Sequence, residues 1–194
     1  MKEESPAITK LNLGCGPKIA QGWLNCDIKM APGVDLRMDL RTGVPLRTAS
    51  VECIAGIHIL QDLSWQLIGP ALRELHRVLR PGCPLRLAVP DLDKAIRAYL
   101  DGDSSYFYVP DRDARNVSAK LVTQIVWYGS VRTPLTFGFL DEWLRAAGFV
   151  DIERQTFRES VWPGLAMLDN RERESLFVEA RKPPDGALAG GANA

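Results

Sequence analysis

Leu11-Asn12-Leu13-Gly14-Cys15-Gly16-Pro17 is a short apolar run that breaks into a Gly-x-Gly turn. The run from Ile8 to Leu13 reads as a strand buried on both faces. The turn after it reads as a ligand-binding loop, because glycine tolerates positive φ and lets backbone N–H groups approach a bound anion. Three more runs end in the same manner. Trp23 to Cys26 stops at Asp27, Val34 to Met38 at Asp39, and Val51 to Ile57 at His58. Ligands bind at the carboxyl ends of strands in open α/β sheets, so these residues are expected along one rim.

Downstream the period changes to that of a helix. Between Gln66 and Arg80, Leu72, Leu75, His76 and Leu79 fall on one face, with Arg73, Glu74, Arg77 and Arg80 on the other. Pro81-Gly82 stops this helix. Leu85 to Val89 reads as a fifth strand. Asp91 is placed to cap a helix striped by Leu92, Ile96, Tyr99 and Leu100 and closed by Gly102. A further helix is expected from Val117 to Trp127, and another from Phe139 to Ala147, ended by Gly148. Phe149 to Phe157 and Leu176 to Ala180 read as closing strands. The alternation implies an α/β fold with a mostly parallel sheet and an antiparallel edge strand near the C-terminus.

Composition narrows the function. Lys plus Arg is 24 and Asp plus Glu is 24 in 194 residues, which argues against an electrostatic grip on nucleic acid or on a membrane. No apolar run approaches the roughly 20 residues of a membrane helix, and Met1-Lys2-Glu3-Glu4-Ser5-Pro6 lacks a signal-peptide core. Cys15, Cys26, Cys53 and Cys83 form no CxxC pair, and His58 and His76 are the only histidines. Neither a metal site nor a disulfide framework is expected, and free thiols fit the cytoplasm. The length suits one domain over residues 1–182, with 183–194 as a frayed, disordered tail.

The loop fits neither common nucleotide motif. A dinucleotide fingerprint needs glycine at position 19, where Ile19 stands, and no GK[ST] follows for a phosphate loop. Asp27 comes eleven residues after Gly16, earlier than the acidic residue about 20 positions on that the fingerprint requires. Only nine residues, Gly14 to Gly22, separate the first two strands. A βαβ crossover usually takes at least about ten to twelve. A single helical turn is therefore expected there, leaving the site more open.

Taken together, Leu11 to Gly16, Gly22-Trp23-Leu24-Asn25-Cys26-Asp27-Ile28 and Asp39-Leu40 resemble the start of class I S-adenosylmethionine-dependent methyltransferases. Leu72-Arg73-Glu74-Leu75-His76-Arg77-Val78-Leu79-Arg80-Pro81-Gly82 resembles their "RVLKPGG" segment. Leu85-Arg86-Leu87-Ala88-Val89-Pro90-Asp91-Leu92 resembles the strand after it. The similarity is to short bacterial methyltransferases of the type 11-like group, close over residues 8–100 and looser over 140–180. It implies a Rossmann-like methyltransferase fold of about seven strands with helices on both faces, and S-adenosylmethionine as cofactor. Leu13, Gly14, Cys15, Gly16 and Pro17 would meet its methionine end. Asp27, with Ile28 beside it, would take the ribose hydroxyls. Asp39 and Leu40 would take the adenine, and His58 would sit on the same rim.

Methyl transfer from a sulfonium is an in-line displacement with a neutral leaving group. Positioning can supply about 7–11 kcal/mol, against roughly 3–5 kcal/mol from a general base. Asp91 is the first choice for a catalytic base and His58 the second. Tyr106, Tyr108, Trp127 and Tyr128 are candidates for the acceptor (substrate) pocket, with the insertion 103–136 as lid and acceptor wall. Plainer roles compete: Gly14-Cys15-Gly16 as a tight turn, Asp27 as a turn residue, Asp39 and Asp91 as caps, His58 as a structural histidine, the aromatics and His76 as core. Where relatives carry "H-x-LEH", this chain has His58-Ile59-Leu60-Gln61-Asp62-Leu63. That departure motivates a second reading, a non-catalytic S-adenosylmethionine-binding or sensor protein. An NAD-dependent oxidoreductase is third, disfavoured by Ile19. The expected partner is a small-molecule acceptor, and the oligomeric state is open, a homodimer included.

Overall fold

The computed structural model describes residues 10–186. Seven strands form one sheet: β1 (Lys10–Leu13), β2 (Leu24–Asp27), β3 (Leu36–Arg37), β4 (Cys53–Ile57), β5 (Pro84–Pro90), β6 (Val150–Gln155) and β7 (Ser175–Arg181). Their order is β3-β2-β1-β4-β5-β7-β6. The first five run parallel. The antiparallel strand is β7, which lies one place in from the edge and pairs with both β5 and β6. Strand order reverses between β1 and β4, which opens a crevice at their carboxyl ends. The expected start of the first strand at Ile8, the polar N-terminal stretch and residues 187–194 of the tail lie outside the described residues. Lys182 is tied into the fold, its N–H donating to the Cys83 carbonyl at 3.0 Å.

Among the described residues, four α-helices accompany the sheet: α1 (Trp65–Val78), α2 (Leu92–Leu100), α3 (Val117–Val126) and α4 (Phe137–Ala146). The apolar stripe of α1, with Ile68, Leu72 and Leu75, packs on Leu11, Leu13, Ile54, Leu85 and Leu87 in one core that also takes Leu140 and Leu144 of α4. The helix ends at Val78, before Arg80, because Leu79 turns extended and bridges to Val51. Asp91 caps α2 as its position predicts. His76 lies edge-on to Phe149 with ring centroids 5.1 Å apart. No helix among the described residues is long and apolar enough to cross a membrane.

Alternate strand residues face the other side. There Ala55 packs with Ala20, Trp23 and Leu165, the last in a 3-10 turn spanning Leu165–Leu168. On this face Arg86 is completely buried. Its guanidinium donates to Asp169 at 2.8 and 2.5 Å and to Glu179 at 2.7 Å. It also donates to the carbonyls of Thr156 and Glu159. These bonds fasten the long β6–β7 connection over the sheet.

The helical turn expected between Leu13 and Trp23 does not form; plain turns make the crossing. The reason is a pair of buried asparagines. Asn12 and Asn25 are register partners on β1 and β2. Asn12 Nδ2 donates to the Lys18 carbonyl at 2.8 Å. Asn25 Oδ1 accepts from the Ala20 N–H at 2.8 Å, and its Nδ2 donates to the Ala20 and Trp23 carbonyls at 3.1 Å. Backbone groups that a helix would satisfy internally are satisfied here by two side chains.

Candidate functional site

The first loop is built for close backbone approach. Gly14 has φ +65°, and a Cβ there would lie 1.9 Å from Ile59 Cγ2, so only glycine fits. The Gly16 N–H donates to Asp27 Oδ2 at 2.9 Å, and Asp27 Oδ1 accepts from the Lys29 N–H at 2.9 Å. Loop and strand end are thus bound to each other. An ionised carboxylate has about four lone-pair sites, so Asp27 keeps acceptor capacity for a ligand.

Asp39 and His58 are held differently. Asp39 caps the 3-10 turn Leu40–Thr42, accepting from the Arg41 N–H at 3.0 Å. It also receives the Arg41 guanidinium at 2.7–3.0 Å, which holds its carboxyl below the usual range. His58 sits at φ +57° with its N–H donating to the Ala88 carbonyl at 2.8 Å. Its Nε2 lies 2.8 Å from Ser175 Oγ. Burial, with Arg171 nearby, pushes its pKa down to about 4, so the ring is neutral at physiological pH.

Leu13, Gly14, Asp27, Ile28, Asp39, Leu40 and His58 line one cleft of about 590 Å³ at the carboxyl ends of β1, β2 and β4. Asp62, Ser130 and Arg132 contribute further walls. Three expected cofactor residues stand outside this lining. Cys15 is buried, and desolvation raises its thiol pKa. Gly16 is turned to Asp27, and Pro17 is exposed.

The two base candidates face different spaces. Asp91 is 3% exposed, and its Oδ1 accepts from the N–H groups of Asp93 at 3.0 Å and Lys94 at 3.4 Å. It borders a small cavity with Gln61, Tyr106 and Glu174, whereas His58 borders the cleft. The aromatic candidates divide too. Tyr106 is half-buried beside Asp91, and desolvation raises its hydroxyl pKa. Trp127 lines a second cavity of about 240 Å³ next to the cleft, with His58, Gln61 and Asp62. Tyr108 is exposed beneath the Arg173 guanidinium, 4.2 Å away. Tyr128 is exposed with its hydroxyl 2.7 Å from Asp113.

The insertion 103–136 reaches the cleft through Gly129, Ser130 and Arg132. Trp127, Tyr128 and Gly129 all have positive φ, a rare run that reverses the chain after α3. Gln61 holds the returning segment: its carbonyl accepts from the Arg132 and Thr133 N–H groups at 2.9 and 3.1 Å. The sequence reading singles out none of Ser130, Arg132, Arg171 and Glu174. The one local signal was at Gln61-Asp62, where the chain departs from its relatives' pattern.

Three solved structures are similar to this chain over most of their length. An S-adenosylmethionine-dependent methyltransferase from Mesorhizobium loti is 19% identical, with 92% of this chain and 94% of that chain covered and a TM-score of 0.53. One from Archaeoglobus fulgidus is 13% identical, with 91% and 87% covered and a TM-score of 0.55. The chain has the class I methyltransferase fold. The third is the Burkholderia thailandensis 1,6-didemethyltoxoflavin-N1-methyltransferase, solved with 1,6-didemethyltoxoflavin and S-adenosylhomocysteine bound. It is 19% identical, with 90% and 71% covered and a TM-score of 0.52. No protein-family model matches the chain, and no curated protein matches it.

Proposed function

We propose that the protein transfers a methyl group from S-adenosylmethionine to a small or medium polar acceptor. One observation carries the reading. Residues spread from Leu13 to His58, expected at this cofactor from motif alone, border a single cleft where the strand order reverses. The fold supports it, and the Burkholderia thailandensis neighbour was solved with the demethylated cofactor.

The residues present fit the group. Gly14 lets the backbone approach the methionine end. Asp27 keeps free lone pairs for the ribose hydroxyls, where charged acceptors contribute about 1.5–3 kcal/mol per bond. Leu40 and the Arg41-paired Asp39 border the adenine side. The bound cofactor supplies an electrophilic methyl on a sulfonium. The chain aligns an acceptor against it, the larger contribution at about 7–11 kcal/mol. His58 is a weak base, so its role is to line and orient. Asp91 is committed to the α2 cap, which favours positioning over base catalysis.

That commitment also favours the alternative of a non-catalytic binder. Calorimetric titration with S-adenosylmethionine, S-adenosylhomocysteine and NAD tests the reading. The first two should bind one per chain and NAD should not; NAD binding alone would overturn it. Transfer of labelled methyl to an acceptor then separates enzyme from binder.

A further inference from the structure

The cavity beside the cleft shares His58, Asp62 and Ser130 with it, so the two spaces adjoin. Its walls are rich in hydrogen-bond acceptors. Gln61 is 5% exposed. Its Nε2 donates to the His58 carbonyl at 2.7 Å and to Asp62 Oδ1 at 3.2 Å, which fixes the amide orientation. Its Oε1 is buried with no partner. Buried polar atoms are nearly always paired, so an orphan acceptor on a residue that lines the cavity is satisfied if a ligand there donates to it.

His58 adds a second unpartnered acceptor. Ser175 Oγ lies 2.7 Å from the Arg171 carbonyl, which can only accept, so the hydroxyl proton points there. His58 Nε2 therefore carries the ring proton and donates to Ser175 Oγ. Nδ1 is left as a lone pair, buried and without a partner. Two carboxylates complete the wall. Glu174 is 8% exposed, and its ion pair to Arg171 is long at 3.5 Å. Desolvation raises the pKa of both Glu174 and Asp62. The wall also holds donors: the Arg171 guanidinium, which pairs with Glu174, the Trp127 indole, the Ser130 hydroxyl, already donating to the Trp127 carbonyl at 2.9 Å, and the Gln124 amide, whose Oε1 accepts from the Tyr108 N–H at 2.7 Å.

Resting on the methyltransferase reading, we propose that this cavity seats the methyl acceptor and that the acceptor is an amine. Its N–H groups donate to Gln61 Oε1 and His58 Nδ1, with Glu174 as counter-charge and Trp127 against its substituent. An alcohol has one hydrogen to offer two orphan acceptors. A carboxylate would face Asp62 and Glu174 with like charge. His58 borders both spaces, so a nitrogen held there stands at the mouth of the cleft.

The step balances. An ammonium gives one N–H proton to the Glu174 carboxylate and becomes the free amine. The nitrogen lone pair forms a bond to the methyl carbon while the carbon–sulfur bond breaks. That bond's electron pair stays on sulfur, turning the sulfonium into a neutral thioether. The product is a methylated ammonium facing Asp62.

The test is calorimetric titration of the S-adenosylhomocysteine-saturated protein with benzylamine, benzyl alcohol and benzoate, for wild type and Glu174→Gln. Benzylamine should bind at least tenfold tighter than the other two. Glu174→Gln should remove that preference with unchanged affinity for S-adenosylhomocysteine, which also reports that the variant is folded. Equal or tighter binding of the alcohol or acid, no binding of the amine, or a preference that survives in Glu174→Gln would overturn the inference alone. Failure of S-adenosylhomocysteine to bind wild type would overturn the methyltransferase reading, and the inference with it.

Discussion

Asn12 Nδ2 donates to Asn25 Oδ1 at 2.9 Å, from one parallel strand to the next, with both residues under 5% exposed. This bond anchors a network that shapes the Gly14–Gly22 crossing without a helix. Asn25→Leu keeps the branching but removes every polar atom, leaving the Ala20 N–H and the Trp23 carbonyl without these partners and the Ala20 carbonyl with only the 3.3 Å bond from the Trp23 N–H. Each buried orphan costs about 1–3 kcal/mol. The expected result is a loss of at least about 3 kcal/mol in urea unfolding, with weaker binding of S-adenosylhomocysteine because the loop is no longer held.

Gly14 makes a more local prediction. Gly14→Ala meets both an unfavourable φ and Ile59. Strained left-handed backbone costs of order 1–3 kcal/mol. The variant should melt at lower temperature and bind S-adenosylhomocysteine at least tenfold more weakly. Gly14→Ala combined with Ile59→Ala should recover part of both.

Arg86 is the counter-ion of two buried carboxylates. Arg86→Met leaves Asp169 and Glu179 buried beneath the β6–β7 connection without their counter-ion. Breaking a buried ion pair by removing one partner typically costs about 3–5 kcal/mol. Denaturant unfolding should show a loss of that size, and proteolysis should cut first within residues 156–174.

His58 links stability to pH. Its folded-state pKa, about 4, lies below the ordinary 6.5. Between those values the unfolded chain binds more protons, so stability is complete above about pH 6.5 and is lost as pH falls toward 4. Raised Asp62 and Glu174 work in the opposite sense as they protonate. Comparing the melting temperature of wild type and His58→Gln from pH 4 to 7 isolates the histidine. The variant should show a shallower decline, and the wild-type His58 ring should give no NMR titration step between pH 5.5 and 8.

The rim of the sheet was legible because short-range pattern carries it. Asp27 and His58 each end a largely buried run, Asp39 follows the short, part-exposed strand β3, and Asp91 precedes a helical stripe. Glu174 had no such signal. It lies outside any regular element and reaches the cavity only because β7 pairs antiparallel with β5, where its carbonyl takes the Asp91 N–H at 2.8 Å. The Tyr106-Phe107-Tyr108 and Trp127-Tyr128 clusters look uniform in sequence. Consecutive left-handed residues at 127–129, the Arg173 guanidinium stacked on Tyr108 and the Asp113 carboxylate bonded to the Tyr128 hydroxyl sort them into buried and exposed members. The missing helical turn after β1 needed the Asn12–Asn25 register, which no single segment encodes.

The cleft beside Asp27 is the proposed seat of the adenosyl donor. Calorimetric titration of wild type and Asp27→Ala with S-adenosylhomocysteine tests it most directly. One site should bind in wild type, and the variant, still unfolding cooperatively, should bind at least tenfold more weakly, about 1.4 kcal/mol. No binding in wild type, or equal affinity in a folded Asp27→Ala, would contradict the claim.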